Sequence, residues 1–547
     1  MGSVMATRRD FLQAAGGLAG ALSTGAVATG SITTAAAADA RQTPNIIVLM
    51  TDQERYHTHW PAGWVEANLP GFVRLQRHGL TFHRAYTAAS ECSPSRAVMM
   101  TSQFSPLNRV ARTFLWPGLP GVQQRPNIGS LLRERAGYHV VWKGKWHLSF
   151  SQNAKPGSGG ETWTNADIAH MDSYYGLAEW NPPDAGNAIQ ERQPGVFGYF
   201  DGLSTLGGGN PNNDGRYVQG VTPGATGQTP GLGESVVDFL ARARTLGRPF
   251  CLFVSLVNPH DIGFFPDGWT DGGYKREDFA SLGIDLPPNF ADDLSTKPKI
   301  QSQARAAFDA SAPLPNSDAQ RDYVNFYAYL HKVVDQRIVT ILDALDAQGL
   351  TDSTVVLRFA DHGELGLSHG MREKSYSAYE EMIHIPLVVS NPLLYPEPRE
   401  TQAFYSHLDL LPTLAELAGV PELGSYGLGK SIVPVLRDPS ASVQDSVLFS
   451  YDDVFGLPAG AAGANLRALR ERDWTYAVYF GIDGSAIEYE LYDLTTDPLQ
   501  MTNLLHGTPS AEIRSEWARL HGILTQKLAD AANLPVSFPW PYAPAAA

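Results

Sequence analysis

Five short apolar runs constrain this chain more than any other feature. They are Asn45-Ile46-Ile47-Val48-Leu49-Met50, His139-Val140-Val141-Trp142, Phe250 to Val257, Thr354 to Phe359 and Ile385 to Val389. A continuous apolar run of this length suits a strand buried on both faces. Amphipathic helical stretches lie between them, at Ile128–Arg135, Glu234–Leu246 and from about Asp318 to Leu345. In the last of these, Tyr323, Phe326, Tyr327, Leu330, Val334, Ile338, Ile341 and Leu345 form one stripe at helical spacing. Strands alternating with helices predict an α/β fold, with a doubly wound, largely parallel central sheet flanked by helices. Residues 151–232 break the rhythm; rich in Gly, Pro and Asn, they read as a long surface insertion. From about residue 440, short alternating segments such as Trp474–Phe480 and Glu488–Leu494 predict a smaller C-terminal antiparallel-sheet subdomain. The expected organisation is a leader at 1–40, a main α/β domain at 41–439, and a C-terminal subdomain and tail at 440–547.

The net charge of −15 speaks against a nucleic-acid groove, which needs a basic face. It also disfavours polyanionic polymers as substrates. No apolar run reaches the ~20 residues of a spanning helix except a weak Ala/Gly-rich stretch near the start, so no stable membrane insertion is expected. That stretch, Ala14 to Ile32, follows Thr7-Arg8-Arg9-Asp10-Phe11-Leu12 and precedes Ala38-Asp39-Ala40. Paired arginines, a weakly apolar segment and a small-x-small site resemble a twin-arginine export signal. The expectation is an exported protein, periplasmic or extracellular. Such export moves folded chains, which suits a protein modified or loaded with metal beforehand.

Polar groups follow four of the five apolar runs. Asp52 and Gln53 follow the first, Lys145 and His147 the second, His260 the third, and Asp361 and His362 the fourth. Any one of them reads equally as a cap or turn residue. Together they fall where open α/β sheets bind ligands, beyond the carboxyl ends of the strands. Two carboxylates, an amide oxygen and an imidazole make an oxygen-rich divalent site, with calcium the first choice and manganese the alternative. Lys145 and His147 are two apart on a segment expected to be extended, which turns both to one side. Cys92 lies in Glu91-Cys92-Ser93-Pro94-Ser95-Arg96. Pro94 near the start of a helical run puts Cys92 at a helix N-terminus, where an anion is stabilised. The other cysteine, Cys251, lies inside an apolar run and reads as a buried core thiol.

Cys92-Ser93-Pro94-Ser95-Arg96 matches every fixed position of the C-x-P-S-R motif of type I sulfatases. Gly144-Lys145-Trp146-His147 is similar to that family's G-K-W-H element. Asp361-His362-Gly363, His369-Gly370, Lys374 and Tyr379-Glu380-Glu381 resemble its D-H-G…H-G…K…Y-E-E block. Leu408 to Leu414, and Glu490 to Asn503-Leu504, resemble two later landmarks. From about residue 45 to 505 the chain thus resembles the formylglycine-dependent sulfatases of the alkaline phosphatase superfamily. The pairs Asp52-Gln53 and Asp361-His362 depart from the common Asp-Asp and Asp-Asn. In this they are similar to choline sulfatases and phosphonate monoester hydrolases. Thr101-Ser102 replaces the usual Thr-Gly, a change expected to affect packing rather than maturation.

The resemblance implies that Cys92 is oxidised to formylglycine by a formylglycine-generating enzyme. It implies a cation held by Asp52, Gln53, Asp361, His362 and the converted Cys92. Arg96 would hold the formylglycine, His147 would act as base with Lys145 tuning it, and His260 and Lys374 would bind sulfate and deliver a proton to the leaving alcohol. The hydrate attacks sulfur, expels the alcohol, and then releases sulfate by C–O cleavage. Small aryl or alkyl sulfate monoesters are the expected substrates. Trp163, Tyr174, Tyr175, Trp180, Phe197, Tyr199, Phe200 and Tyr217, with Phe264, Phe265 and Trp269 after His260, are candidates for an apolar pocket mouth. Two alternatives stand: a phosphonate monoester or phosphodiester hydrolase with the same groups, and an exported, non-catalytic sulfate-ester binding protein. His369 is expected to shape its loop, and His57, His59, His78, His83 and His384 to be structural. The oligomeric state is open.

Overall fold

The computed structural model describes residues 43–57, 60–113, 126–150, 161–181, 191–193, 196–199, 213–219, 234–270, 273–374, 376–452 and 463–541. The expected leader lies outside them. Along the chain the strands are β1 (Asn45–Asp52), β2 (Gly79–Tyr86), β3 (Ala89–Ser90), β4 (His139–Gly144), β5 (Glu161–Thr164), β6 (Ala178–Asn181), β7 (Glu191–Gln193), β8 (Val196–Tyr199), β9 (Phe250–Pro259), β10 (Thr354–Ala360), β11 (Leu387–Ser390), β12 (Arg399–Ser406), β13 (Ser446–Tyr451), β14 (Asn465–Glu471), β15 (Trp474–Phe480) and β16 (Glu488–Asp493). Eight of them form the central sheet in the order β12-β2-β11-β10-β1-β9-β4-β6. Strand β1 pairs in parallel with β10 on one side and β9 on the other, and β4 continues the parallel run.

Helices cover both faces because alternate residues of β1 point to opposite sides. Ile46, Val48 and Met50 enter a core that includes Ala97 and Met99 of helix α1 (Cys92–Thr101) and Leu131 and Leu132 of α2 (Ile128–Arg135). Ile47 and Leu49 enter a second core with Phe239 and Leu240 of α3 (Val236–Ala243) and Val334, Ile338 and Ile341 of α4 (Ser317–Ala347). All eight stripe residues of α4 are buried. Burial of each such side chain contributes roughly 1.5–3 kcal/mol. Asn316 caps the helix by accepting from Ala319 N, which satisfies a donor the first turn leaves unpaired.

Three details differ from the sequence expectation. The run at Ile385–Val389 forms β11, which is antiparallel to both β10 and β2, so one strand of the otherwise parallel sheet is reversed. The edge strand β12 and its neighbour β2 carry polar residues such as Arg399, Glu400, His83 and Arg84, which hide their apolar pattern. The 151–232 stretch is not all surface: β6 is the last strand of the central sheet, and Ile168, Met171, Tyr175, Leu177 and Trp180 are core residues.

The C-terminal sheet has the order β16-β15-β14-β13-β3. Its last member, β3, immediately precedes Glu91 and Cys92, and Tyr451 of β13 is in register with Ser90. Helix α5 (Ala511–Asp530) buries Leu520, Leu524 and Leu528 against this sheet. Ser102 ends α1 in the left-handed conformation, at φ 53°. Its hydroxyl accepts from Leu428 N and Gly429 N and donates to Leu408 O. A Cβ on Gly427 would lie 2.2 Å from Ser102 Cβ, so glycine at 427 makes room for the serine. Among the described residues, no helix is long and apolar enough to cross a membrane.

Candidate active site

The carboxyl ends of four neighbouring parallel strands meet at one edge. Asp52 ends β1, Asp361 follows β10, His260 follows β9, and Lys145 follows β4. Parallel pairing fixes this convergence: Asp361 N donates to Thr51 O, and Lys145 N to Ser255 O. The expected reason for Lys145 and His147 facing together does not hold. Strand β4 ends at Gly144, and His147 is left-handed at φ 57°. A turn therefore aims His147, and Ser93 Oγ secures that turn by donating to His147 O.

Cys92 is the first residue of α1 and is buried. Its Sγ lies 3.2 Å from His362 Nε2, 3.5 Å from Asp52 Oδ1 and 3.7 Å from Lys145 Nζ. Burial and the Asp52 carboxylate push the thiol up to about 12. A cysteine nucleophile needs the opposite shift, so the unmodified thiol is poorly suited to direct attack.

Arg96 sits one turn along α1 with its fork on the two aspartates. Nη2 is 2.9 Å from Asp52 Oδ2 and 2.9 Å from Asp361 Oδ2. Nη1 donates to Lys145 O and to Ser255 Oγ. Arg96 thereby ties both carboxylates to the end of β4 and to β9. Lys145 Nζ is 2.6 Å from Asp52 Oδ2. Burial works against ionising Asp52, but the Lys145 ammonium and the Arg96 guanidinium outweigh it and hold the carboxyl well below its usual range. Burial, reinforced by Lys145, pushes His147 and His260 well below 6.5, so both are neutral imidazoles near neutral pH. His260 Nδ1 is buried with no hydrogen-bond partner.

Asp52, Cys92, Asp361 and His362 each present a ligand atom, and those atoms lie within 4.8 Å of one another. His362 Nδ1 is 2.9 Å from Gly363 O, which orients the ring and turns Nε2 toward the cluster. This donor set fits a divalent cation. Gln53 lies beside it, with Oε1 accepting from Lys374 Nζ at 2.5 Å. An amide oxygen has a second lone pair, so that bond leaves room for a cation. Burial opposes the Lys374 charge, but the negative groups around it, Glu373, Glu91 and Asp52 among them, raise its pKa above the ordinary value.

The structure thus brings together Asp52, Gln53, Cys92, Arg96, Lys145, Asp361, His362 and Lys374, with His147 and His260 within reach of their field. The sequence reading missed Ser255, Glu364 and Glu373, which hold Arg96 and Gln53. Glu364 follows Asp361-His362-Gly363 directly, a signal that was present; Ser255, in mid-strand, offered none. His369 is fully buried, with Nδ1 2.7 Å from Asp292 and its ring stacked 3.8 Å from Tyr379, as expected of a loop-shaping residue. Cys251 is a buried free thiol. Of the described pocket-mouth candidates, Tyr175, Trp180 and Phe265 instead pack into the cores, Tyr174 and Trp269 are half-buried against them, and half-buried Phe264 belongs to neither.

The sequence profile of the sulfatase family matches residues 44–420, and that of the C-terminal region of N-sulphoglucosamine sulphohydrolase matches residues 368–528. Among curated proteins, choline-sulfatase of Rhizobium meliloti is 27% identical over 475 residues, covering 84% of this chain and 82% of the relative. Arylsulfatase K of Mus musculus is 24% identical, covering 90% and 80%. A solved 2-O GAG sulfatase superposes with a TM-score of 0.66 at 21% identity, covering 92% of this chain and 95% of that one. Phosphonate monoester hydrolase of Agrobacterium radiobacter superposes with a TM-score of 0.61 at 19% identity, covering 89% and 96%. These superpositions carry the fold. A profile match that runs from β1 past the last loop of the site carries the assignment: this chain belongs to the sulfatase family and is a sulfuric ester hydrolase.

Proposed function

We propose that the protein hydrolyses small aryl or alkyl sulfate monoesters, with Cys92 converted to formylglycine and a divalent cation held by Asp52, Gln53, Asp361 and His362. The observation that carries this reading is Cys92 Sγ within 3.5 Å of both Asp52 and His362, at the start of a helix. The cation would polarise sulfate oxygens, and the converted side chain would supply a hydroxyl nucleophile. The protonated Lys374 and Lys145 offer positive charge to the negative charge on the sulfate oxygens. Neutral His147 can accept the proton of the second hydroxyl. His260, with a buried and unpartnered Nδ1, would serve as hydrogen-bond partner to the leaving oxygen.

The preference for small substrates rests on charge: an acidic chain at −15 repels polyanions more than monoanions. Turnover of nitrophenyl sulfate against a nitrophenyl phosphonate monoester tests the reaction class. Sulfate hydrolysis with the higher kcat/KM supports the proposal, and the reverse order refutes it. Export is part of the same proposal, carried by Arg8-Arg9 and the segment after it. Replacing both arginines by lysine should keep the protein out of the periplasm and medium; undiminished export would exclude the twin-arginine route.

A further inference from the structure

Gln53 stands where many sulfatases carry aspartate, and its surroundings give a physical reason. Its Nε2 lies 2.5 Å from Glu364 Oε2 and 3.1 Å from Glu373 Oε2. Its Oε1 lies 2.5 Å from Lys374 Nζ. Ionised carboxylates only accept hydrogen bonds and an ammonium only donates. One orientation of the amide satisfies all three neighbours: NH2 toward the glutamates, C=O toward Lys374. An aspartate or glutamate at 53 would set a third carboxylate against the pair.

The clamp is itself held. Glu364 is fully buried, and its Oε1 accepts from Tyr323 OH, Gly366 N and Glu373 N. The Gln53 backbone is fixed at both polar atoms, with N donating to Asp361 Oδ1 and O accepting from Tyr327 OH. Its φ of 65° is left-handed, a conformation that a non-glycine residue holds only when its surroundings impose it.

We propose that Glu364 and Glu373 are positioning residues that lock the Gln53 side-chain amide with its carbonyl oxygen toward the cation site. The proposal rests on the reading that this cluster holds a divalent cation. A ligand of this kind depends on the groups behind it, and losing such a group typically weakens metal binding by about 10–100-fold.

The test is calorimetric titration of the metal-stripped full chain with calcium chloride and, separately, manganese chloride. The panel is wild type, Glu373→Gln, Gln53→Ala, Gln53→Glu and the exchanged pair Gln53→Glu/Glu373→Gln. Glu373→Gln should bind at least about tenfold more weakly, while its melting temperature without metal stays at the wild-type value. Gln53→Glu should bind more weakly still, and the exchanged pair, which restores an amide-to-carboxylate contact, should recover part of that loss. Recovery in the exchanged pair carries the test even if Glu373→Gln alone melts early. Wild-type affinity in Glu373→Gln would overturn the clamp, as would wild-type affinity in Gln53→Ala or no recovery in the exchanged pair. Sulfate-ester turnover is recorded in parallel. A variant series that follows the expected binding order in a protein inert toward sulfate esters would sink the proposed function and leave the clamp standing.

Discussion

Arg96 Nη2 lies 2.9 Å from Asp52 Oδ2, and neither side chain touches solvent. The same nitrogen is 2.9 Å from Asp361 Oδ2, so one guanidinium compensates both carboxylates of the site. Arg96→Ala would leave the buried Asp361 without its cationic partner and Asp52 with Lys145 alone, and breaking a buried pair this way costs about 3–5 kcal/mol. Urea unfolding of metal-free protein should show that loss. Arg96→Lys should recover only part of it, since an ammonium cannot form the fork. Wild-type stability in Arg96→Ala would contradict the anchoring role.

Removing either carboxylate should empty the cation site. Asp52→Ala and Asp361→Ala are expected to lose activity and the thermal stabilisation that calcium or manganese gives the wild type. A cation at a hundred times its dissociation constant stabilises by about 2.7 kcal/mol. A thermal shift on adding metal to chelator-treated wild type, absent in both variants, is the expected pattern. Full activity in an exhaustively metal-free preparation would exclude the site.

His331 gives a pH dependence with a defined sign. It is buried against Tyr327 and Trp60, and burial lowers its pKa from 6.5 to about 3. As pH falls below 6.5 the unfolded chain takes up a proton that the folded chain refuses, so stability is lost between pH 6.5 and about 3, at up to about 1.4 kcal/mol per pH unit. His331→Phe removes that one proton from the balance. The stability difference between wild type and variant should therefore shift in favour of the variant on going from pH 7 to pH 5. A difference independent of pH would place the imidazole in a solvated setting.

The parallel core and its site were legible for one physical reason. Strands buried on both faces, such as Asn45–Asp52 and Phe250–Pro259, are uninterrupted apolar runs, and their ends must stop at polar residues. Edge strands lack that signature, which is why Arg399–Ser406 was not read as a strand. Ala178–Asn181 was hidden among Gly and Pro, because only Trp180 marks it as core. Arg96 was legible as a site residue but its partners were not: spacing along one helix says nothing of carboxylates brought in from two strands. Glu373 was invisible for the same reason, since its meaning lies in a contact with Gln53 across 320 positions.

Substrate choice should follow charge. Nitrophenyl sulfate, a medium-chain alkyl sulfate and choline sulfate are each expected to give a higher kcat/KM than a heparin disaccharide. A clear advantage for the disaccharide would show that local positive charge at the site overrides the field of the acidic chain.

In the proposed function, Cys92 is the precursor of the nucleophile. Mass spectrometry of the peptide spanning Cys92, taken from protein coexpressed with a formylglycine-generating enzyme and assayed in the same preparation, tests it most directly. The expected result is an aldehyde in place of the thiol, at an occupancy that scales with turnover across preparations, with Cys92→Ala lowering turnover by on the order of 10⁴-fold or more. An intact thiol in fully active protein would contradict it.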